Sequence, residues 1–165
     1  GLRLARTLLN SNINAHLLWS DAGSVALAKR DAPALINNIH SFSDVIKNKY
    51  QPKGSELLIA ISPQPYDYEE FEVVSSTHKG KLIMFNGRLE DTAVGIGSIG
   101  RERRRDFISD WDYIYYLEPM KQAALMSIYP YGWSLFKEYE DGYRFIESFD
   151  QRPDSDLISD KLYNR

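Results

Sequence analysis

Apolar residues in the first thirty positions recur at three- and four-residue spacing: Leu4, Leu8, Leu9, Ile13, Leu17 and Leu18, continued by Ala22, Val25 and Ala26. That period matches the turn of an α-helix and predicts one long helix over residues 2–30. Its apolar stripe is narrow and contains the polar run Asn10-Ser11-Asn12. A stripe of that width suits a stalk that packs against a second copy of the chain as well as its own domain. An ordinary amphipathic core helix reads equally well from the same spacing. Asp31-Ala32-Pro33 restarts the pattern, because Asp31 can cap and Pro33 fits a first helical turn, where its missing N–H costs nothing. A second helix over 33–49 follows, with Leu35, Ile36, Ile39, Phe42, Val45 and Ile46 on one face, and Gln51-Pro52-Lys53-Gly54 ends it.

The period then changes. Glu56 to Ile61 is a short apolar run between turn signals, the mark of a buried strand. Glu70 to Ser75 alternates around Phe71 and Val73, and Lys81 to Phe85 is apolar again. Ser76 to Gly80 between them predicts a hairpin turn with Gly80 at positive φ. Asn86-Gly87 marks a second tight turn, and Leu89 to Gly100 reads as a loop. Asp112 to Glu118 has strand composition, Met120 to Tyr129 looks helical, and 133–140 adds a helical turn or two before Asp141-Gly142. Tyr143 to Phe149 predicts a last strand, and the polar tail from Asp150 belongs on the surface. The expected fold is a single α+β domain over 1–165: a stalk-like helix over 1–30, then an α+β body over 31–165. In that body the second helix leads into a small antiparallel sheet with short helical insertions.

Composition narrows the function classes. The chain has 165 residues, enough for one proper core, and a net charge of −3, which argues against a nucleic-acid binder with its basic face. Cysteine is absent, so there is no disulfide, thiolate metal site or cysteine nucleophile. No stretch approaches the roughly 18 apolar residues of a membrane span. The abrupt start at Gly1 and end at Arg165 read as a piece of a longer protein, with any membrane segment outside it.

The motifs that carry chemistry are few. Gly95-Ile96-Gly97-Ser98-Ile99-Gly100 fits G-x-G-x-x-G, with Glu118 at the distance of a ribose-binding acid. Its context argues for a surface loop instead, since Arg88 to Val94 is a poor buried strand and too little chain follows for a crossover helix. Arg101, Arg103, Arg104 and Arg105 suggest either an exposed basic turn or an anion-holding one. His16, His40 and His78 stand outside metal-ligand spacing, and no nucleophile elbow occurs. The carboxylates at Asp67 to Glu72 and Asp106 to Asp112 read as solvated faces. No catalytic residue, metal or cofactor is expected. The aromatics speak more clearly, since Trp111, Tyr113, Tyr115, Tyr116, Tyr129, Tyr131, Trp133, Tyr139 and Tyr143 cluster in sequence. Tyr113 and Tyr115 would share one strand face. A tyrosine pocket suits a small polar ligand, with Arg88 or Arg144 holding a carboxylate, so the candidate ligand-binding set is Arg88, Trp111, Tyr113, Tyr115 and Arg144.

In layout the chain resembles the extracytoplasmic PAS-like or Cache-type sensor domains of bacterial transmembrane receptors. The likeness rests on the long helix over 2–30 and on Leu57 to Ile61, Phe71 to Ser75, Gly80 and Lys81 to Phe85 as opening strands and hairpin. Of the Trp-Tyr pair and later Tyr-x-Asp that mark many such sites, the chain offers Trp111-Asp112-Tyr113. The resemblance implies a ligand- or partner-sensing input domain of a histidine kinase, diguanylate cyclase or chemoreceptor. It would lie on the periplasmic face of the inner membrane, pair with a second copy through the N-terminal helix, and be no enzyme. The alternatives are a small cytosolic enzyme domain binding a nucleotide or sugar, and a protein-interaction domain with an exposed aromatic patch.

Overall fold

The computed structural model describes residues 1–89 and 98–163. The chain forms two compact units, Gly1–Asp110 and Trp111–Arg165.

In the first unit the expected long N-terminal helix is three elements. Helix α1 (Leu2–Asn10) stops at Ser11, strand β1 (Ala15–Trp19) follows, and helix α2 (Ala22–Asp31) comes next. The polar run decides this break: Asn12 takes a left-handed backbone, φ 60°, which Asn tolerates and a continuing helix forbids. Ala15 to Leu18 are then buried in succession, as in a strand covered on both faces. Asp21 caps α2 by accepting the Ser24 N–H at 2.7 Å. The expected second helix is likewise divided, into a 3-10 turn (Pro33–Asn38), strand β2 (Ile39–Ser41) and helix α3 (Phe42–Ile46). Ser41 starts α3 with a reciprocal capping box: it accepts the Asp44 N–H at 3.0 Å, and Asp44 accepts the Ser41 N–H at 2.9 Å.

Strand β3 (Leu57–Ile61) and strand β4 (Leu82–Phe85) stand where expected, but helix α4 (Tyr68–Thr77) joins them in place of a strand and hairpin. Phe71 and Val74, one turn apart, are both fully buried; that helical pair outweighs the Phe71/Val73 alternation. Gly80 is needed for closeness, not for positive φ, because a Cβ there would run into the Gly54 carbonyl and the His78 ring. Helix α5 (Ser98–Ser109) ends the unit.

All four strands are parallel, in the order β2-β1-β3-β4. The antiparallel arrangement expected for this half is therefore corrected. Its strands are linked by helices, and a parallel pair needs such a crossover. Right-handed crossovers place α2 on one face and α3 and α4 on the other. On the first face Ala28 of α2 and Ala5 of α1 pack with Ala15, Leu17, Ile39 and Ile59. Leu18, Leu58 and Ala60 point to the second face and are fully buried, as are Phe42 and Phe71, whose rings lie 5.7 Å apart.

The second unit is an antiparallel meander of β5 (Tyr115–Met120), β6 (Ala123–Ile128), β7 (Trp133–Tyr139) and β8 (Gly142–Phe149), closed by helix α6 (Ser155–Tyr163). The antiparallel sheet is thus present here, built partly from segments expected to be helical. Ala123 to Ser127 and Trp133 to Lys137 pair residue by residue across Leu125 and Leu135. Two tight turns enforce the pairing: Gln122 takes φ 60° after β5, and Gly142 takes φ 132° after Glu140-Asp141. The polar tail is amphipathic, not simply surface. Leu162 is buried and Ile158 packs with it against Ala123, Leu135 and Phe149. Asp154 accepts the Leu157 N–H at 2.8 Å at the start of α6, and the Lys137 ammonium donates to the Leu162 carbonyl at 2.9 Å at its end.

Candidate functional site

Alternation along β5 sends Tyr116, Glu118 and Met120 to the face that α6 covers, and Tyr115 and Leu117 to the opposite one. On the covered face Tyr116 and Trp133 meet at 5.1 Å, and Tyr113 packs edge-on against both, at 5.5 and 5.2 Å. Arg152, in the connection from β8 to α6, lies over Tyr116 at 4.9 Å and over Trp133 at 5.6 Å. Its guanidinium donates to the Tyr116 hydroxyl at 2.6 Å and to Glu118 at 3.1 Å. Two ring contacts and two hydrogen bonds hold this cation in one place.

Beside Arg152 opens a groove of about 370 Å³ between the β5–β6 hairpin and α6. Met120, Leu125, Ile158 and Leu162 give it an apolar floor, and Lys121, Ser155, Ser159 and Tyr163 line its rim. An apolar floor with a few fixed polar groups is the usual make-up of a small-molecule site. Among the described residues the lining holds two cations, Arg152 and Lys121, against one carboxylate, Glu118.

The residues expected to bind ligand are not gathered in this way. Tyr113 is in the aromatic cluster, but Tyr115 is 62% exposed on the other face of the sheet. The two do not share a strand face, because the strand begins only at Tyr115. Trp111 is half-buried ahead of β5. Arg144, at the β7–β8 hairpin, pairs with Asp141 at 3.0 Å and lies over Tyr139 at 4.5 Å. Arg88 belongs to the first unit, where its N–H donates to the Pro63 carbonyl at 2.9 Å. Sequence reading met Glu118 only as a ribose-binding acid behind the glycine run and missed Arg152 altogether. The Tyr-x-Glu alternation at 116 and 118 was the available signal, and it pointed to a strand with a polar handle on its covered face.

In the first unit His16 and His78 reach Glu56, which sits just ahead of β3, and His40 is linked to it through His16 and Tyr50. His16 on β1 faces His40 on β2, Nδ1 to Nε2 at 3.2 Å, and turns its Nε2 to Glu56 Oε1 at 3.7 Å. Tyr50 donates to Glu56 Oε2 at 2.8 Å, and its ring stacks on His40 at 3.7 Å, tilted by 3°. The Lys53 N–H donates to the same oxygen at 2.9 Å, and His78 Nε2 donates to the Glu56 carbonyl at 3.2 Å. Burial pushes the His40 pKa down from its ordinary 6.5 to about 4, helped by the charge His16 would carry and by Lys29. Burial also lowers His16, against the pull of Glu56. Burial alone would raise Glu56, but the hydrogen bonds from Lys53 and Tyr50 outweigh it and the carboxyl ends below its ordinary value. Burial, with the bond to Glu56, raises the Tyr50 hydroxyl. Among the described residues no group of three or more metal-ligating side chains is arranged to hold an ion.

The basic run is helical, within α5. Arg103 pairs with Glu72 of α4, and Arg104 lies over the Tyr68 ring at 4.7 Å. These two contacts stay inside the unit. Gly95 and Gly97 lie outside the described residues, while Gly100 falls in the first turn of α5. No helix is long and apolar enough to cross a membrane among the described residues.

A family model described as a domain of unknown function, DUF1995, matches residues 1–160. No curated protein matches the chain, and no solved structure matches it.

Proposed function

The chain belongs to the DUF1995 family, a domain of unknown function, and on that footing we propose that it is a non-catalytic ligand-binding module whose site is the groove beside α6. The observation that carries this reading is Arg152, clamped by Tyr116, Trp133 and Glu118 at the mouth of an apolar-floored groove. A preorganised cation loses little freedom on meeting an anion, so its contribution to affinity is retained. The excess of cation over carboxylate in the lining selects an anionic head, and Met120, Leu125 and Ile158 select an apolar body. The ligand class is a small amphiphile with a carboxylate or similar anion at one end.

The sensing interpretation keeps its ligand-binding half here. Its transmitting half, a stalk over 2–30 on a periplasmic receptor, has no continuous helix to carry it, because α1 ends at Asn10. The PAS-like sheet would have to be the β5–β8 meander alone.

The test is a matched pair of probes, octanoate and octylamine, read by thermal shift and by chemical-shift mapping. Octanoate should stabilise the protein and perturb Leu125 and Ile158, and Ser159→Trp, which fills the groove from the exposed side of α6, should abolish the effect. Binding that survives Ser159→Trp, or preference for the amine, would overturn the proposal.

A further inference from the structure

The histidine cluster stands apart from the groove and has its own logic. Strand β2 is three residues long, lies at the edge of the parallel sheet and, among the described residues, pairs only with β1. Three register partners hold it: Ile39, His40 and Ser41 against Leu17, Leu18 and Trp19. A side-chain bridge reinforces them, the 3.2 Å contact from His16 on β1 to His40 on β2, and just ahead of β2 the Asn38 amide donates to the Ala15 carbonyl of β1 at 3.0 Å. Such a contact between two imidazoles needs one ring nitrogen to donate and the other to accept. It therefore survives with no added proton or with one. A first proton is best placed on His16, whose Nε2 then meets Glu56 Oε1. A second proton puts an N–H on both facing nitrogens, and nothing is left to accept.

We propose that the His16–His40 contact is an acid-opened latch, in which a second proton from the medium turns a shared hydrogen bond into a clash of like charges and releases β2 from β1. The surrounding groups set where it opens. Lys29 of α2 opposes the second proton together with His16, while Asp44 of α3 favours it. Glu56 ahead of β3 favours the first proton on His16. Tyr50, stacked on His40, stays neutral and covers the ring. His40 holds its proton less well when folded than when unfolded, so acid favours the unfolded arrangement. The stability this pair contributes is complete at neutral pH. It is lost as pH falls from the ordinary histidine value of 6.5 towards about 4.

Residues 39–46 are the ones to watch, since α3 begins where β2 ends. Hydrogen exchange, corrected for the intrinsic effect of pH, should show their protection falling on the order of tenfold between about pH 7 and pH 4.5, with β3 still protected. His40→Gln places an uncharged amide where Nε2 stood, and it should keep its protection across the same range. Equal loss in both proteins would overturn the latch. Ring resonances of the wild-type protein give a reading independent of any variant's folding. Two coupled steps, with β2 amide shifts following the second, support the latch, and separate titrations near 6.5 sink it.

Discussion

The two units bury their sheets by opposite means. In the first, helices cover both faces, and successive residues of β1 and β3 are buried regardless of the side they point to. In the second, one face is covered by α6 and the other lies open. Tyr115, Leu117, Tyr143 and Phe145 there are between 52% and 62% exposed. A doubly covered sheet tolerates few polar groups, and those it holds must be satisfied, as the linked His16, His40 and Glu56 are. A singly covered sheet leaves room at its covered edge for a groove. The chain thus keeps its titratable cluster in the closed unit and its candidate binding site in the open one.

That contrast can be broken most decisively at the cores. Phe71→Ala should cost about 3–5 kcal/mol and Leu135→Ala about 2–5 kcal/mol by denaturant unfolding, the first from the parallel unit and the second from the meander. If both substitutions shift one shared transition equally, the units unfold as one cooperative body and the contrast is structural only. Leu117→Ser on the open face should change stability by no more than about 0.5 kcal/mol. A loss like that of Leu135→Ala would mean that this face is covered after all.

Finer predictions sharpen the same division. Gly80→Ala should destabilise the first unit by about 1–3 kcal/mol, since the Gly54 carbonyl and the His78 ring occupy the space. Ser41→Ala removes half of the α3 capping box and should cost about 1 kcal/mol, visible as faster exchange in residues 42–46. Asp141→Asn breaks an ion pair whose side chains are 60% and 70% exposed. It should be nearly silent, within about 0.5 kcal/mol, in a thermal melt.

Much of this was readable from residue order where local and global demands agree. Leu57 to Ile61 and Tyr143 to Phe149 are strands as their composition says, while Asp141-Gly142, expected to end a helical segment, turns one strand into the next. Elsewhere the local signal was degenerate. Leu4, Leu8, Leu17 and Leu18 keep helical spacing across a break that one left-handed asparagine creates. Ala123-Ala124-Leu125-Met126 is helix-forming by propensity, and only pairing on both sides makes it β6. The sites were harder still. His16 and His40 are 24 residues apart and Tyr116 and Arg152 are 36 apart. Parallel register joins the first pair, and the packing of the β8–α6 connection joins the second. Neither leaves a spacing that a reader of the chain can recognise.

Helix α6 has a practical consequence. It supplies the side chains that keep Ala123, Leu135 and Phe149 dry, and the Lys137–Leu162 contact ties its end to β7. A fragment trimmed back to Asp150 would keep every strand of the meander and lose its interior, becoming a ribbon wetted on both sides. Anyone producing this half by itself must carry the chain through Tyr163, because its last helix serves as the roof of the sheet and not as a dispensable tail.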